Sequence, residues 1–99
     1  MRIEWTEQAL SDLDDAFFYI DDRNPDAAHR FFRGMFESVK ELMTFPEMGP
    51  PVYDLDPPGL YRQLVRGHHR VFYRVEGDVV LVMRVWDARR NPSSFDVTE

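Results

Sequence analysis

The stretch RVWDARRNP, residues 84–92, ends the last apolar run of the chain with Asp87, Arg89 and Arg90. A carboxylate and two guanidiniums at the end of a strand suit a reaction centre, a nucleic-acid contact or recognition by another protein. The adjacent His68 and His69 are the other titratable pair of interest. They fall in a turn and lack a third partner at recognisable spacing, so they read as turn residues and not as metal ligands. His29 lies beside the polar face of a helix, where solvent reaches it. Ser93 and Ser94 belong to a polar tail with no adjacent base. With no cysteine there is no disulfide, thiolate zinc site or cysteine nucleophile. No glycine-rich phosphate cradle is present.

These side chains must be positioned by a single domain, because 99 residues are too few for two independent cores. Hydrophobic residues at 43% and eight Phe suffice for a packed interior. No stretch approaches the roughly 20 apolar residues of a membrane span, and no signal peptide is recognisable, so a cytoplasmic protein is expected. The net charge is −6. Residues 1–50 hold five Lys/Arg against eleven Asp/Glu, whereas residues 51–99 hold seven of each, all seven cations being arginines. Overall acidity repels a phosphate backbone and argues against direct nucleic-acid binding. Arginine suits planar recognition of carboxylates, which leans toward a protein partner. The acidic first half is read as maintaining solubility.

MRIEW alternates polar and apolar residues and predicts a short strand, with Ile3 and Trp5 on one side. Thr6 then caps a helix whose buried stripe is Ala9, Leu10, Leu13, Ala16, Phe17 and Ile20. Asn24 caps a second helix with Pro25 at its first position, where a missing N–H is harmless. Its apolar set is Ala28, Phe31, Phe32, Met35, Phe36, Val39, Leu42 and Met43. Gly34 in mid-helix predicts close helix–helix approach. The short connection makes the two an antiparallel hairpin. Five of the seven prolines follow in FPEMGPPVYDLDPPG, the one long loop. Then LYRQLVR, RVFYRV and VVLVMRVW, joined by GHH and EGD, form an antiparallel meander. The expected class is α+β with order β-α-α-β-β-β, the hairpin packed on one face of a mainly antiparallel sheet. The domain spans 1–99, with a polar tail from about residue 93.

Strand alternation sorts the side chains into two faces. Val71, Tyr73 and Val75, with Leu81, Met83 and Val85, are expected against the helices. The opposite face would carry Arg70, Phe72 and Arg74, with Val80, Val82, Arg84 and Trp86, and with Arg62, Leu64 and Arg66. Apolar groups set between arginines match the composition of interface cores, so this face is expected to receive an apolar, acidic segment of another chain.

The element order, with NPDAAHRFF opening the second helix, FPEMGPPV leaving it, YRQLVRGHHRVFYRVEGDVV in the sheet and RVWDARRNP at the close, resembles the RelE/ParE toxin superfamily of type II toxin–antitoxin systems. The resemblance runs from about Ile3 to Pro92, and the ParE branch is the more similar. It implies a small cytoplasmic toxin held inactive by an antitoxin whose disordered tail folds over it. ParE members typically poison DNA gyrase, whereas RelE members cut messenger RNA on the ribosome.

Cleavage of RNA by its 2′-hydroxyl needs a base, an acid and cations around the phosphorane-like transition state. The resemblance offers Arg70, aligned with a phosphate-binding arginine of the RelE branch, and Tyr73. Asp87 stands where that branch often has His; with a reference pKa of about 4, a carboxylate is a poor acid at neutral pH and repels a phosphate. The reading is therefore a ParE-like toxin that acts by binding gyrase, without cofactor or metal. Arg62, Arg66, Arg70, Phe72, Arg84, Trp86, Arg89 and Arg90 are the expected surface for gyrase or antitoxin. A RelE-like ribonuclease using Arg70 and Tyr73, and an inactive homologue retaining only antitoxin binding, are the alternatives.

Overall fold

A computed structural model describes residues 1–89; Arg90 and the polar tail lie outside the described residues. The order is β1 (Arg2–Trp5), α1 (Glu7–Asp21), α2 (Pro25–Lys40), a short 3-10 turn (Glu41–Met43), β2 (Arg62–Arg66), β3 (His69–Glu76) and β4 (Val79–Asp87). The strands form one sheet in the order β1-β4-β3-β2. β1 runs parallel to β4, and the other two pairings are antiparallel. No helix of the described residues is long and apolar enough to cross a membrane.

The expected local signals operate as read. The Thr6 hydroxyl accepts the Ala9 N–H at 3.0 Å and donates to the Met83 carbonyl at 2.8 Å, so the cap of α1 also ties the helix to β4. Asn24 accepts the Ala27 N–H at 3.1 Å, with Pro25 in the first turn of α2. Both hairpins have two-residue turns, Gly67-His68 and Gly77-Asp78. Each places glycine first with φ near +59° and +57°, a conformation glycine adopts without steric penalty. His69 is thus the first residue of β3 and not part of the turn.

Between the helices and the sheet lies the main core, which includes Ala9, Leu13, Met35, Val39, Leu42, Val71, Tyr73 and Val85. An aromatic run joins its layers: Trp5 meets Phe36 at 5.0 Å between ring centroids, Phe36 meets Phe32 at 4.8 Å, and Phe32 meets Phe17 at 5.5 Å. Two helical expectations are corrected. Leu10 is 44% exposed. A methyl group on Gly34 would meet nothing within 4 Å, so this glycine does not serve helix–helix approach.

The division of the sheet into faces is also corrected. β4 contains a bulge at which Phe72 pairs with Arg84 but Tyr73 pairs with Val82, leaving Met83 unpaired. One extra residue reverses the alternation on either side of it. Val80 and Val82 therefore join the helix-side core, while Leu81 and Met83 turn to the other face. In β2, Leu64 is buried on the helix side, and the flanking Arg62 and Arg66 share that side by alternation.

The second face is not open. Phe72 and Trp86, 5% and 7% exposed, pack with Met83, Val52 and Tyr61, with Leu55 alongside. The cover is the proline-rich segment, which runs beside β2 through Gln63 N–H to Pro50 O (3.1 Å) and Val52 N–H to Tyr61 O (2.8 Å). Gly49 permits this approach, since a Cβ there would stand 2.6 Å from the Gln63 carbonyl oxygen. The molecule's own loop occupies the place reserved above for a partner.

Candidate functional site

The residues expected to form one arginine-rich surface are dispersed. Arg62 donates to the Gly49 carbonyl at 2.9 Å and braces the loop. Arg66 donates to the Ser38 hydroxyl of α2 at 3.1 Å and to the Val65 carbonyl at 2.8 Å. Arg70 is exposed beside Trp86 in the strand register. Phe72 and Trp86 lie beneath the loop, and Arg90 falls outside the described residues.

Arg84 is drawn toward α1 instead. Its Nε and Nη2 meet the two carboxylate oxygens of Asp12 at 2.8 and 3.1 Å, while its guanidinium lies 5.5 Å from the centre of the Trp86 ring. Asp12 also accepts the Val85 N–H at 2.9 Å. β1 ends at Trp5, opposite Val82, so β4 continues past its neighbour with an open edge. Thr6 and Asp12 satisfy that edge with side chains, using the Met83 carbonyl and the Val85 N–H.

Tyr73 is fully buried. Its hydroxyl accepts the Gly49 N–H at 2.9 Å and donates to the Pro46 carbonyl at 2.8 Å. Burial raises its pKa above the ordinary value. Arg70 and Tyr73 are three residues apart in one strand and so project to opposite faces. The pair that the ribonuclease alternative needs is not assembled.

An open cleft of about 640 Å³ lies between α1 and the ends of β3 and β4. Asp12, Asp15, Ala16, Tyr19 and Ile20 form the helix wall. His69, Val85, Asp87 and Arg89 form the strand wall. Here the Asp that ends β4 meets the Arg that follows the strand. Arg89 grips Asp87 through Nε and Nη2 at 3.0 and 2.8 Å, and its backbone N–H donates to the same carboxylate at 2.9 Å. Those hydrogen bonds from the Arg89 side chain are the main cause that lowers the Asp87 pKa to about 2. His69 lies opposite Asp87 in the register and packs on Phe31 at 4.8 Å. Burial holds its pKa below the ordinary imidazole value, with Asp87 opposing.

His29 is exposed yet edges against Phe17 at 5.5 Å, and His68 is exposed in its turn. Among the described residues no three His, Cys, Asp or Glu side chains gather as a metal-binding group. The α1 wall was missed in the sequence. Its signal was Asp12, a carboxylate three residues after Ala9 and four before Ala16, within the buried frame of an amphipathic helix.

Chemically, the cleft offers apolar floor and paired charges, which suits binding a polypeptide segment. The sequence from residue 3 to 92 matches the family model for the ParE toxin of the type II toxin–antitoxin system parDE. No curated protein sequence matches the chain. Among solved structures, a chain of the chromosomal ParDE toxin–antitoxin system from P. aeruginosa is similar, with 25% identity and a TM-score of 0.72 over 86% of this chain and 92% of that one. A chain of the toxin–antitoxin complex RelBE2 from Mycobacterium tuberculosis shares the fold at 22% identity and a TM-score of 0.62, over 85% and 93% of the two chains. The chain belongs to the ParE toxin family of type II toxin–antitoxin systems.

Proposed function

We propose that this chain arrests growth by binding DNA gyrase, and that a cognate antitoxin holds it inactive until released. Family membership supports the toxin role, and the parDE and RelBE2 neighbours support an antitoxin partner. The observation that favours binding over RNA cleavage is the commitment of Tyr73, whose hydroxyl is held between Gly49 and Pro46 on the face away from Arg70. A general acid or base must come within hydrogen-bond reach of the proton it transfers, and a fully buried phenol pinned at both ends cannot do so. Among the described candidates Arg70 and Arg89 are the exposed ones, which supports a role for both in touching a target protein. Arg84 and Trp86 act from beneath, holding β4 against α1 and the loop.

Inducing the chain in cells without antitoxin tests this reading. Growth arrest should come with DNA-damage signalling. Arrest of translation with transcripts cut at defined positions, abolished by Arg70→Ala, would replace the gyrase reading with the ribonuclease one. Tight antitoxin binding without any toxicity would leave an inactive homologue.

A further inference from the structure

The α1 wall of the cleft carries the opposite charge from the one the arginines of the sequence suggest. Among the described residues, two cleft carboxylates are each held by an arginine through two hydrogen bonds: Arg84 holds Asp12, and Arg89 holds Asp87. The Asp15 side chain has no ion-pair or hydrogen-bond partner among the described residues. Beside it the cleft presents the apolar side chains of Ala16, Ile20 and Val85. An acidic segment entering here would meet Asp15 and, among the described lining residues, no guanidinium free of a carboxylate. A segment carrying a lysine or arginine next to an apolar residue meets a complementary wall and floor. The cleft volume of about 640 Å³ suits a few side chains and not a whole helix.

We propose that this cleft takes a short amphipathic stretch of the antitoxin, its apolar side chains on Ala16, Ile20 and Val85 and its cation on Asp15. This rests on the antitoxin partnership above and adds the chemistry of the docking segment. Charge across an interface governs encounter and partner choice more than total affinity, so reversing one such charge discriminates strongly. The acidic α1 is thereby a selective surface as well as a solubilising one.

The test compares Asp15→Arg with Asp14→Arg in the toxin, measuring affinity for the antitoxin co-expressed from the same operon. Both side chains are exposed on α1 and both changes add the same charge, but Asp14 does not line the cleft. Asp15→Arg should weaken the complex by about tenfold or more, while Asp14→Arg leaves it within about threefold. Equal weakening by both would reduce the effect to net charge and overturn the site. No weakening by either would overturn it as well. Failure of the unaltered chain to bind the antitoxin at all would instead overturn the partnership on which the site rests.

Discussion

Asp12 of α1 and Arg84 of β4 form a two-pronged ion pair at 2.8 and 3.1 Å, their side chains only 9% and 11% exposed. It joins the helix hairpin to the sheet where β4 outruns β1, and its carboxylate also closes the Val85 N–H. Removing Asp12 takes away the carboxylate that faces a guanidinium only slightly exposed to water. Asp12→Ala should destabilise the fold by about 3–5 kcal/mol, read as a lower urea midpoint. Adding Arg84→Met should recover part of the loss, since the cation that faced Asp12 is then gone. A double variant no more stable than the single one would assign the loss to the Val85 N–H.

The Tyr73 hydroxyl links β3 to the loop at Pro46 and Gly49. Tyr73→Phe leaves a buried N–H and a carbonyl without their partner, which should cost about 1–3 kcal/mol of stability. Growth arrest should persist at temperatures where the variant stays folded. Loss of toxicity by a folded variant, checked by circular dichroism, would return Tyr73 to a chemical role.

Gly34 faces open space on α2. Gly34→Ala should stabilise the protein by up to about 1 kcal/mol, through helix propensity and a less mobile unfolded chain. Thermal unfolding measures it. A lower melting temperature would mean that a partner or neighbour needs that space.

Two groups on the strand wall of the cleft make stability pH-dependent in separate windows. The Asp87 pKa is lowered to about 2 from 3.8, so its contribution is complete above about 4 and is lost as the pH falls through about 2. The His69 pKa is lowered from 6.5, so the unfolded chain binds the proton first and stability declines as the pH falls below 6.5. Urea midpoints measured from pH 8 to 5 should fall for the unaltered chain and flatten in His69→Gln. An unchanged slope in that variant would assign the dependence to other groups.

How far these features were legible depends on their range. Caps at Thr6 and Asn24 act within a few residues and operate as read, and the turns fall at Gly67 and Gly77 as read but are shorter, His69 and Glu76 belonging to β3. The bulge at Met83 was not legible, because only pairing with Phe72 and Tyr73 shows that a residue is surplus. That one residue exchanged the faces of Val80 to Met83. Nor did proline content reveal that Val52 and Leu55 would roof Phe72 and Trp86, since loop cover depends on the close approach of Gly49 to Gln63. The question posed by Asp87 and Arg89 was visible, but its setting was not. The cleft exists because β1 lies parallel to β4 and stops at Trp5, a long-range fact.

The claim that this toxin acts by binding is tested most directly by titrating the purified, antitoxin-free chain into a gyrase supercoiling reaction. Supercoiling should fall in proportion to added chain, equally with Tyr73→Phe, and messenger RNA incubated with ribosomes and the same preparation should stay intact. Undiminished supercoiling together with cut messenger would contradict the account.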